Sequence, residues 1–359
     1  MIALVLPLTT VSRTSSFRLG QVPALDGLRA VSILAVLIHH WSLIADSPLL
    51  PWGSLGVDIF FVVSGFLITS LLVEEYSATS TTSLKRFYVR RALRLLPALF
   101  LAVLVVGAVA LIIGPTLLGL TPLRFASLFY FTNWVRAYEP WPLWVFSHFW
   151  SLAIEEQFYV AWPLALVALL RSRLRPRSII YIVIGFALFS ASLRSLMYAS
   201  GVPINRIFHG SDTRADGLLF GCALSLVLHW IPEALHNERA IRKAGQAGVI
   251  LLVAMMQIGT EEFIYYAGFT LAALSAAAII VRVVQLQPPR FLTHPAALWI
   301  GRRSYGLYIW HWPAFYMTRL ALGKGWLTVT IGMILSFVVA GLSYRLIELP
   351  FLRRKARYS

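Results

Sequence analysis

Two ionisable residues, Arg29 and His40, lie inside one long apolar segment of this chain, ALDGLRAVSILAVLIHHWSLI. They are eleven residues apart, and eleven helical steps of about 100° bring both side chains to one helix face, roughly 16 Å apart along the axis. A charged side chain in hydrocarbon is costly, so such residues usually face a bundle interior or a wet cavity. We therefore expect a polar track along this helix.

A carboxylate candidate lies in the run HFWSLAIEEQFYVAWP, which begins at His148. His148, Glu155 and Trp162 recur every seven residues and share one helical stripe, whereas Glu156 points about 100° away. Glu155 is therefore the carboxylate expected to meet His40, because a carboxylate neighbour holds an imidazole ready as a general base. A structural His–Glu pair that ties two helices together is the alternative.

An arginine pair lies in the run RFYVRRALRLLPA, where Arg91 and Arg94 are three residues apart. On a helix they share a face, and two guanidinium groups so placed can fork onto phosphate oxygens. Arginine next to a membrane span is ordinarily only a topology signal, which is the alternative. Arg29 is expected on the same side of the membrane, and this favours a site for an anionic ligand.

Other polar residues give weaker signals. Asp58 is expected to cap or orient a partner, and His311 is either a packed, hydrogen-bonded histidine or a functional one. Ser64 and Gly65 suit close helix packing. The sequence contains no HExxH, no clustered Cys and His, and no Walker or dinucleotide glycine motif. No metal, nucleotide hydrolysis or flavin is therefore expected.

The composition places these residues in a membrane. Of 359 residues, 58% are hydrophobic and only 13% are charged, whereas a soluble domain is usually about a quarter charged. The single cysteine, Cys222, cannot form an internal disulfide, so redox and thiolate-metal chemistry is unsupported.

The spacing of apolar segments predicts an all-α polytopic helical bundle with about ten spans. Residues 1–23 form an expected cytoplasmic tail without a signal peptide, residues 24–352 the membrane domain, and residues 353–359 a basic cytoplasmic tail. The predicted spans are 24–44, 55–76, 95–119, 149–170, 178–199, 213–231, 244–260, 262–281, 303–320 and 326–348.

Lys and Arg set the expected orientation. With both termini in the cytoplasm, 22 of the 31 basic residues fall in cytoplasmic segments and six in outer ones. The net charge of +16 is then explained by anionic lipid beside basic loops, and nucleic acid is not an expected partner.

The longest outer segment, about 120–148, is rich in aromatic residues. It contains Tyr130, Trp134, Tyr138, Trp141 and Trp144, which suits a cap in the outer membrane interface. A lid over a bound substrate is the alternative.

Two function classes fit this arrangement. One is a transferase that carries a group from a cytoplasmic phosphate-bearing donor to an outer acceptor. The other is a proton-coupled transporter of an anionic or acylated solute.

Seven motifs in order favour the first class, because together they closely resemble the membrane-bound acyltransferase-3 family. They are ALDGLRAVSILAVLIHHW, GVDIFFVVSGFLIT, RFYVRRALRLLPA, FWSLAIEEQFYVAWP, RADGLLFG, SYGLYIWHWP and IELPF. The resemblance implies a multi-pass cell-membrane enzyme that moves an acyl group, usually acetyl, from acyl-coenzyme A to a hydroxyl of a glycan or glycosylated small molecule.

The resemblance also implies residue roles. The family's Arg–ten residues–His motif maps onto Arg29 and His40, its RxxR motif onto Arg91 and Arg94, and its glutamate onto Glu155. The arginines would hold coenzyme A, His40 would remove the acceptor proton, and Glu155 would orient His40, with a transient acyl-histidine as a variant. Because the sequence ends at Ser359, we expect the form without an added extracytoplasmic esterase-like domain.

Overall fold

Ten long helices dominate the computed structural model, which describes residues 18–20, 22–47, 49–139 and 144–355. Over these ranges the chain is helical and contains no β-strand, so the prediction of an all-α bundle is confirmed. The expected tail residues 1–17 and 356–359, and Trp141 of the expected cap, lie outside the described residues. In chain order the long helices are α1 (Pro23–Ala45), α2 (Leu55–Thr79), α3 (Leu84–Ile113), α4 (Trp150–Arg171), α5 (Pro176–Ala199), α6 (Ser211–Trp230), α7 (Glu238–Ile258), α8 (Phe269–Gln285), α9 (Ser304–Leu322) and α10 (Trp326–Ser343).

Short elements join or extend these helices. A π-helical turn, Ile264–Gly268, precedes α8, and a second one, Tyr344–Glu348, continues α10 into the helix Leu349–Lys355. The remaining short helices are Pro115–Leu118, Pro122–Ser127, Thr132–Tyr138, Ser147–Phe149, Ile204–His209, Pro232–Leu235, Glu261–Phe263, Arg290–Thr293 and Pro295–Arg302.

Seven of the helical stretches in the described residues are long and apolar enough to cross a membrane. They are Leu55–Thr79, Leu84–Ile113, Ser147–Arg171, Pro176–Ala199, Glu238–Ile258, Glu261–Gln285 and Trp326–Arg354. The other three predicted spans correspond to α1, α6 and α9, which carry Arg29, Arg214 and His311 among other polar residues. Most side chains of α6 and α9 are buried, so these polar helices lie inside the bundle.

Helix α3 differs most from its predicted span, 95–119. It begins at Leu84, where the Ser83 side chain accepts a hydrogen bond from the Arg86 amide, and it continues through Pro97 to Ile113. The predicted span leaves out the first residues of this helix because they are basic. Arg91 and Arg94 consequently belong to the same helix that crosses the bundle.

Helices α2 and α6 pack at the centre of the bundle with unusually close backbones. A methyl group at Gly65 would collide with the Leu218 carbonyl, and one at Gly221 would collide with the Val62 carbonyl. Small residues permit this approach in membrane proteins, where van der Waals packing drives helix association. The predicted packing role of Gly65 is therefore confirmed.

Two buried ion pairs flank this contact. Arg214 of α6 donates to Asp58 of α2 at 2.9 Å, and Arg194 of α5 donates to Asp216 of α6 at 2.9 Å. Thr270 of α8 also donates to Asp216 at 2.9 Å. Removing one partner of such a pair leaves an uncompensated buried charge. These pairs therefore hold α2, α5, α6 and α8 in register.

Large apolar side chains are exposed on the outer helices. Leu111 of α3 is 90% exposed and Ile258 at the end of α7 is 79% exposed. Exposed apolar surface of this extent marks contact with a membrane or a partner. The composition and the seven apolar helices favour the membrane.

Candidate active site

Three arginines and a glutamate line a cavity of about 280 Å³, called below the arginine cavity. The polar lining comes from five helices of the bundle: Arg29 of α1, Ser64 of α2, Arg91 and Arg94 of α3, Ser151, Glu155 and Tyr159 of α4, and Ser304, Tyr305 and Tyr308 of α9. The three arginines predicted to face a common ligand are thus brought together. The i, i+3 spacing of the α3 pair explains why both reach the same cavity.

Arg91 is held in place by contacts on two sides. Its guanidinium carbon lies 3.1 Å from the centre of the Tyr159 ring, and its Nη2 is 3.5 Å from Oε1 of Glu156. Arg29 has a looser ion pair, 3.9 Å from Asp26. Among the described residues Arg94 forms no ion pair, so its guanidinium remains available for an anion in the cavity.

Glu155 belongs to the arginine cavity, and the predicted contact between Glu155 and His40 is wrong. The Glu155 carboxylate accepts hydrogen bonds from Ser64 at 2.5 Å and from Tyr159 at 3.2 Å. Its stripe does run along α4 as predicted, but seven residues displace Glu155 from the level of His148 by about 10 Å along the helix. The periodicity identified the correct helix face but not the depth at which it meets α1.

His40 instead lines a second cavity of about 240 Å³, called below the histidine cavity. Its lining is drawn from α1, from the start of α2, from the helix Thr132–Tyr138, from the turn Ser147–Phe149 before α4, from the helix Ile204–His209, from the π-helical turn Ile264–Gly268 and from α9. The lining residues include His39, His40, Ser54, Arg136, Ser147, His148, Asn205, Phe208, His209, Tyr265, Tyr308 and Trp312. This lining therefore combines aromatic rings with hydrogen-bonding groups.

The imidazole of His40 is bonded to a second imidazole. Its Nδ1 is 2.8 Å from Nε2 of His311, a fully buried residue of α9. The rings of Trp312 and His148 complete the surroundings, with Trp312 4.8 Å from His40 and His148 5.1 Å from His311 between ring centres. The sequence alone leaves the role of His311 open. Its position as a titratable side chain inside an apolar helix is the signal that points to a functional role.

The neighbouring His39 has a different environment. Its Nδ1 donates to the carbonyl oxygen of Leu50 at 3.2 Å, which ties the end of α1 to the loop before α2. This contact gives His39 a structural role, whereas the hydrogen bond of the His40 ring goes to another titratable side chain, His311.

The two cavities share a wall. Val57 and Tyr308 line both of them. The Tyr308 hydroxyl donates to the His148 carbonyl at 2.7 Å and lies 2.6 Å from the Ser151 hydroxyl. Because a carbonyl only accepts, Ser151 must donate to Tyr308. The partition between the arginines and the histidines is thus about one side chain thick and is fixed by hydrogen bonds.

The aromatic segment before α4 reaches the histidine cavity. Arg136, from the helix Thr132–Tyr138, lines the cavity, while Tyr138 of the same helix is 70% exposed. Trp144 is buried, and its carbonyl accepts a hydrogen bond from the Trp312 indole at 3.1 Å. Trp144 is therefore a packing residue and not the exposed anchor expected of a purely interfacial cap.

Within the described ranges no group of three His, Cys, Asp or Glu side chains is arranged to hold a metal ion. The arrangement offers an anion site on one side of a thin wall and an imidazole base on the other.

Comparison with known proteins gives the class of protein to which this arrangement belongs. A family model described as "Acyltransferase domain" matches residues 22–345. The chain belongs to this acyltransferase family. That membership confirms the resemblance carried by the seven motifs.

Two relatives illustrate the match. The chain is 35% identical over 356 residues to the O-acetyltransferase OatA of Staphylococcus aureus (strain NCTC 8325), with 93% of this chain covered. It is 33% identical over 368 residues to the peptidoglycan O-acetyltransferase OatA of Listeria monocytogenes, with 95% covered. The chain spans 57% of the length of each of these relatives. No solved structure matches the chain.

Proposed function

We propose that the protein is an integral membrane O-acyltransferase that moves an acyl group, with acetyl expected, from acyl-coenzyme A to a hydroxyl of a glycan or glycosylated metabolite. The observation that carries this proposal is the shared wall of Tyr308 and Val57 between the two cavities. A transferase needs both an anchor for an anionic donor and a base for the acceptor within reach of one reacting bond.

The proposed setting is a bacterial cell membrane crossed by ten helices, with both termini in the cytoplasm. The distribution of Lys and Arg supports this orientation, and the seven apolar helices support a multi-pass protein. The arginine cavity would then open toward the cytoplasm, where acyl-coenzyme A is made, and the histidine cavity toward the outside.

The proposed donor site is the arginine cavity. Arg91 and Arg94 would bind coenzyme A phosphates through paired guanidinium contacts, and Arg29 would neutralise remaining negative charge. A volume of about 280 Å³ suits the acyl end of the donor better than the whole molecule, since sites for drug-sized ligands run from about 300 to 1,000 Å³. The nucleotide would therefore remain near the mouth while the thioester approaches Tyr308.

The proposed acceptor site is the histidine cavity. Its aromatic rings and hydrogen-bonding groups, including Trp312, Asn205 and Arg136, suit a sugar with apolar ring faces and several hydroxyls. The name of the Listeria monocytogenes relative, a peptidoglycan O-acetyltransferase, favours a cell-wall glycan as the acceptor.

In the proposed reaction His40 removes the proton of the acceptor hydroxyl as the oxygen attacks the thioester carbonyl. The new ester bond forms, the carbon–sulfur bond breaks, and the departing thiolate takes up the proton that His40 removed, which gives free coenzyme A and restores neutral His40. The acyl group would have to pass Tyr308 to meet the acceptor oxygen, and until it does so Tyr308 would limit the access of water from the histidine cavity to the thioester.

Purified protein in lipid nanodiscs tests the proposal, because no ion gradient exists there. We expect release of free thiol from acetyl-coenzyme A only when a glycan acceptor such as soluble muropeptides is added, and an acetyl ester on the acceptor by mass spectrometry. Absence of transfer from wild-type protein, together with gradient-driven uptake of an intact solute in vesicles, would replace this proposal by the transporter.

A further inference from the structure

The hydrogen-bond partners of His311 determine which of its ring nitrogens carries a proton. Its Nδ1 lies 2.7 Å from the carbonyl oxygen of Tyr308 and 3.1 Å from that of Leu307, one helical turn back. A carbonyl oxygen can only accept, so Nδ1 of His311 must be the N–H donor. In a neutral imidazole the other nitrogen, Nε2, is then a bare acceptor.

The contact between His311 and His40 has the geometry of a direct hydrogen bond within the ring planes. The two rings are inclined by only 13°, and their centres are 5.0 Å apart. This separation nearly equals the sum of the Nδ1–Nε2 distance, 2.8 Å, and the distance from each of these nitrogens to the centre of its own ring. The ring centres and the two nitrogens are therefore almost collinear, and the lone pair of His311 points directly at Nδ1 of His40.

We infer that His311 is a positioning residue for His40 that holds it as the tautomer with hydrogen on Nδ1 and the basic lone pair on Nε2. His311 thus fills the place that the resemblance implied for Glu155. The inference rests on the proposed function only for its catalytic consequence.

The orientation has a direct chemical meaning. With Nδ1 engaged by His311, Nε2 is the nitrogen of His40 left for a hydroxyl in the histidine cavity. When Nε2 takes the proton of the acceptor hydroxyl, His40 becomes an imidazolium whose Nδ1–H still donates to His311. The base is therefore aligned before the acceptor arrives and needs no ring flip during the reaction.

Nitrogen NMR of wild-type protein labelled with ¹⁵N-histidine tests the tautomer without any assay of activity. The His40 signals would be identified by their loss in His40→Gln, measured at a pH where the rings are neutral. We expect Nδ1 of His40 as an N–H and Nε2 as a bare nitrogen. A His40 signal with hydrogen on Nε2 would overturn the inference and leave the proposed transferase function standing.

Kinetics test the catalytic consequence. His311→Leu removes the acceptor and should lower kcat by about 10²–10⁴, the range that general-base catalysis contributes, with KM for acetyl-coenzyme A unchanged. His311→Gln places an amide oxygen where it can accept from His40. Its kcat should be at least about tenfold higher than that of His311→Leu, because one hydrogen bond to a charged group contributes a free energy of this order.

A buried histidine elsewhere provides the matched control. His229 of α6 is also bonded through Nδ1 to the carbonyl four residues before it, at 2.8 Å from Ser225, and it is not among the residues that line either cavity. His229→Leu should leave kcat unchanged. Equal kcat losses in His229→Leu and His311→Leu, or no rescue by His311→Gln, would reduce His311 to a packing residue. No transfer by wild-type protein would instead contradict the proposed function.

Discussion

Arg29 and His40 project from the same helix, yet they line different cavities. Helix α1 therefore connects the arginine cavity to the histidine cavity over roughly 16 Å, the rise of eleven residues. Tyr308 of α9 lines both cavities. The two cavities thus follow one helix and share one wall.

The first prediction concerns the two adjacent histidines. His40→Ala should lower acyl transfer by about 10²–10⁴, because the general base is lost. His39→Ala should retain most activity, because His39 lines the same cavity but its Nδ1 donates to the Leu50 carbonyl and ties α1 to a loop. Thiol release and thermal melting of both variants in detergent provide the measurement. If His39→Ala is the inactive variant while His40→Ala transfers normally, the assignment of the base is wrong.

The second prediction concerns the arginine cavity. Arg91→Lys should weaken acetyl-coenzyme A binding by about tenfold, because an ammonium reproduces neither the paired phosphate contacts nor the stacking on Tyr159. Arg94→Lys should have a similar effect. Calorimetric titration of the donor into detergent-solubilised protein measures this change.

Arg90 provides the control for charge and position. It lies next to Arg91 on α3 but pairs with Glu75 at 3.7 Å and is not among the residues that line the arginine cavity. Arg90→Lys should leave donor affinity within twofold. If Arg90→Lys weakens donor binding as much as the other two variants, general surface charge and not a specific cradle attracts the donor.

Part of this site could be predicted from sequence because it depends on local periodicity. Arg91 and Arg94 share a face at any position of α3, and the positions of Arg29 and His40 follow from one helix. Contacts between distant helices depend on depth and rotation, which periodicity does not determine. The stripe of His148, Glu155 and Trp162 therefore predicts the wrong partner for His40, whose hydrogen bond goes to a residue 271 positions away.

The third prediction concerns the buried ion pair of Asp58 and Arg214. Asp58→Ala should destabilise the protein by about 3–5 kcal/mol, because it leaves the Arg214 charge buried without a partner. The exposed pair of Asp46 and Lys324 is the control, and Lys324→Ala should cost at most about 1 kcal/mol. Denaturation in mixed micelles measures both free energies of unfolding. Similar values for the two variants would show that the buried pair adds no particular stability.

The last prediction concerns the wall between the cavities. Tyr308→Ala removes a side chain that lines both cavities and loses the hydroxyl contacts to Ser151 and to the His148 carbonyl. Water near His40 would then reach a thioester held in the arginine cavity, so acceptor-independent hydrolysis of acetyl-coenzyme A should rise severalfold while transfer to the glycan falls. Thiol release measured with and without acceptor separates the two rates.

Tyr305 is the matched control for the loss of a tyrosine. It lines the arginine cavity and is not among the residues that line the histidine cavity, and its hydroxyl donates to the Leu95 carbonyl at 2.9 Å. Tyr305→Ala enlarges that cavity without joining it to the histidine cavity, so hydrolysis without acceptor should remain at the wild-type rate. If both alanine variants hydrolyse the donor equally fast, Tyr308 is not the barrier, because any enlargement of the donor site then admits water. If neither variant does so, the thioester is not held against this wall.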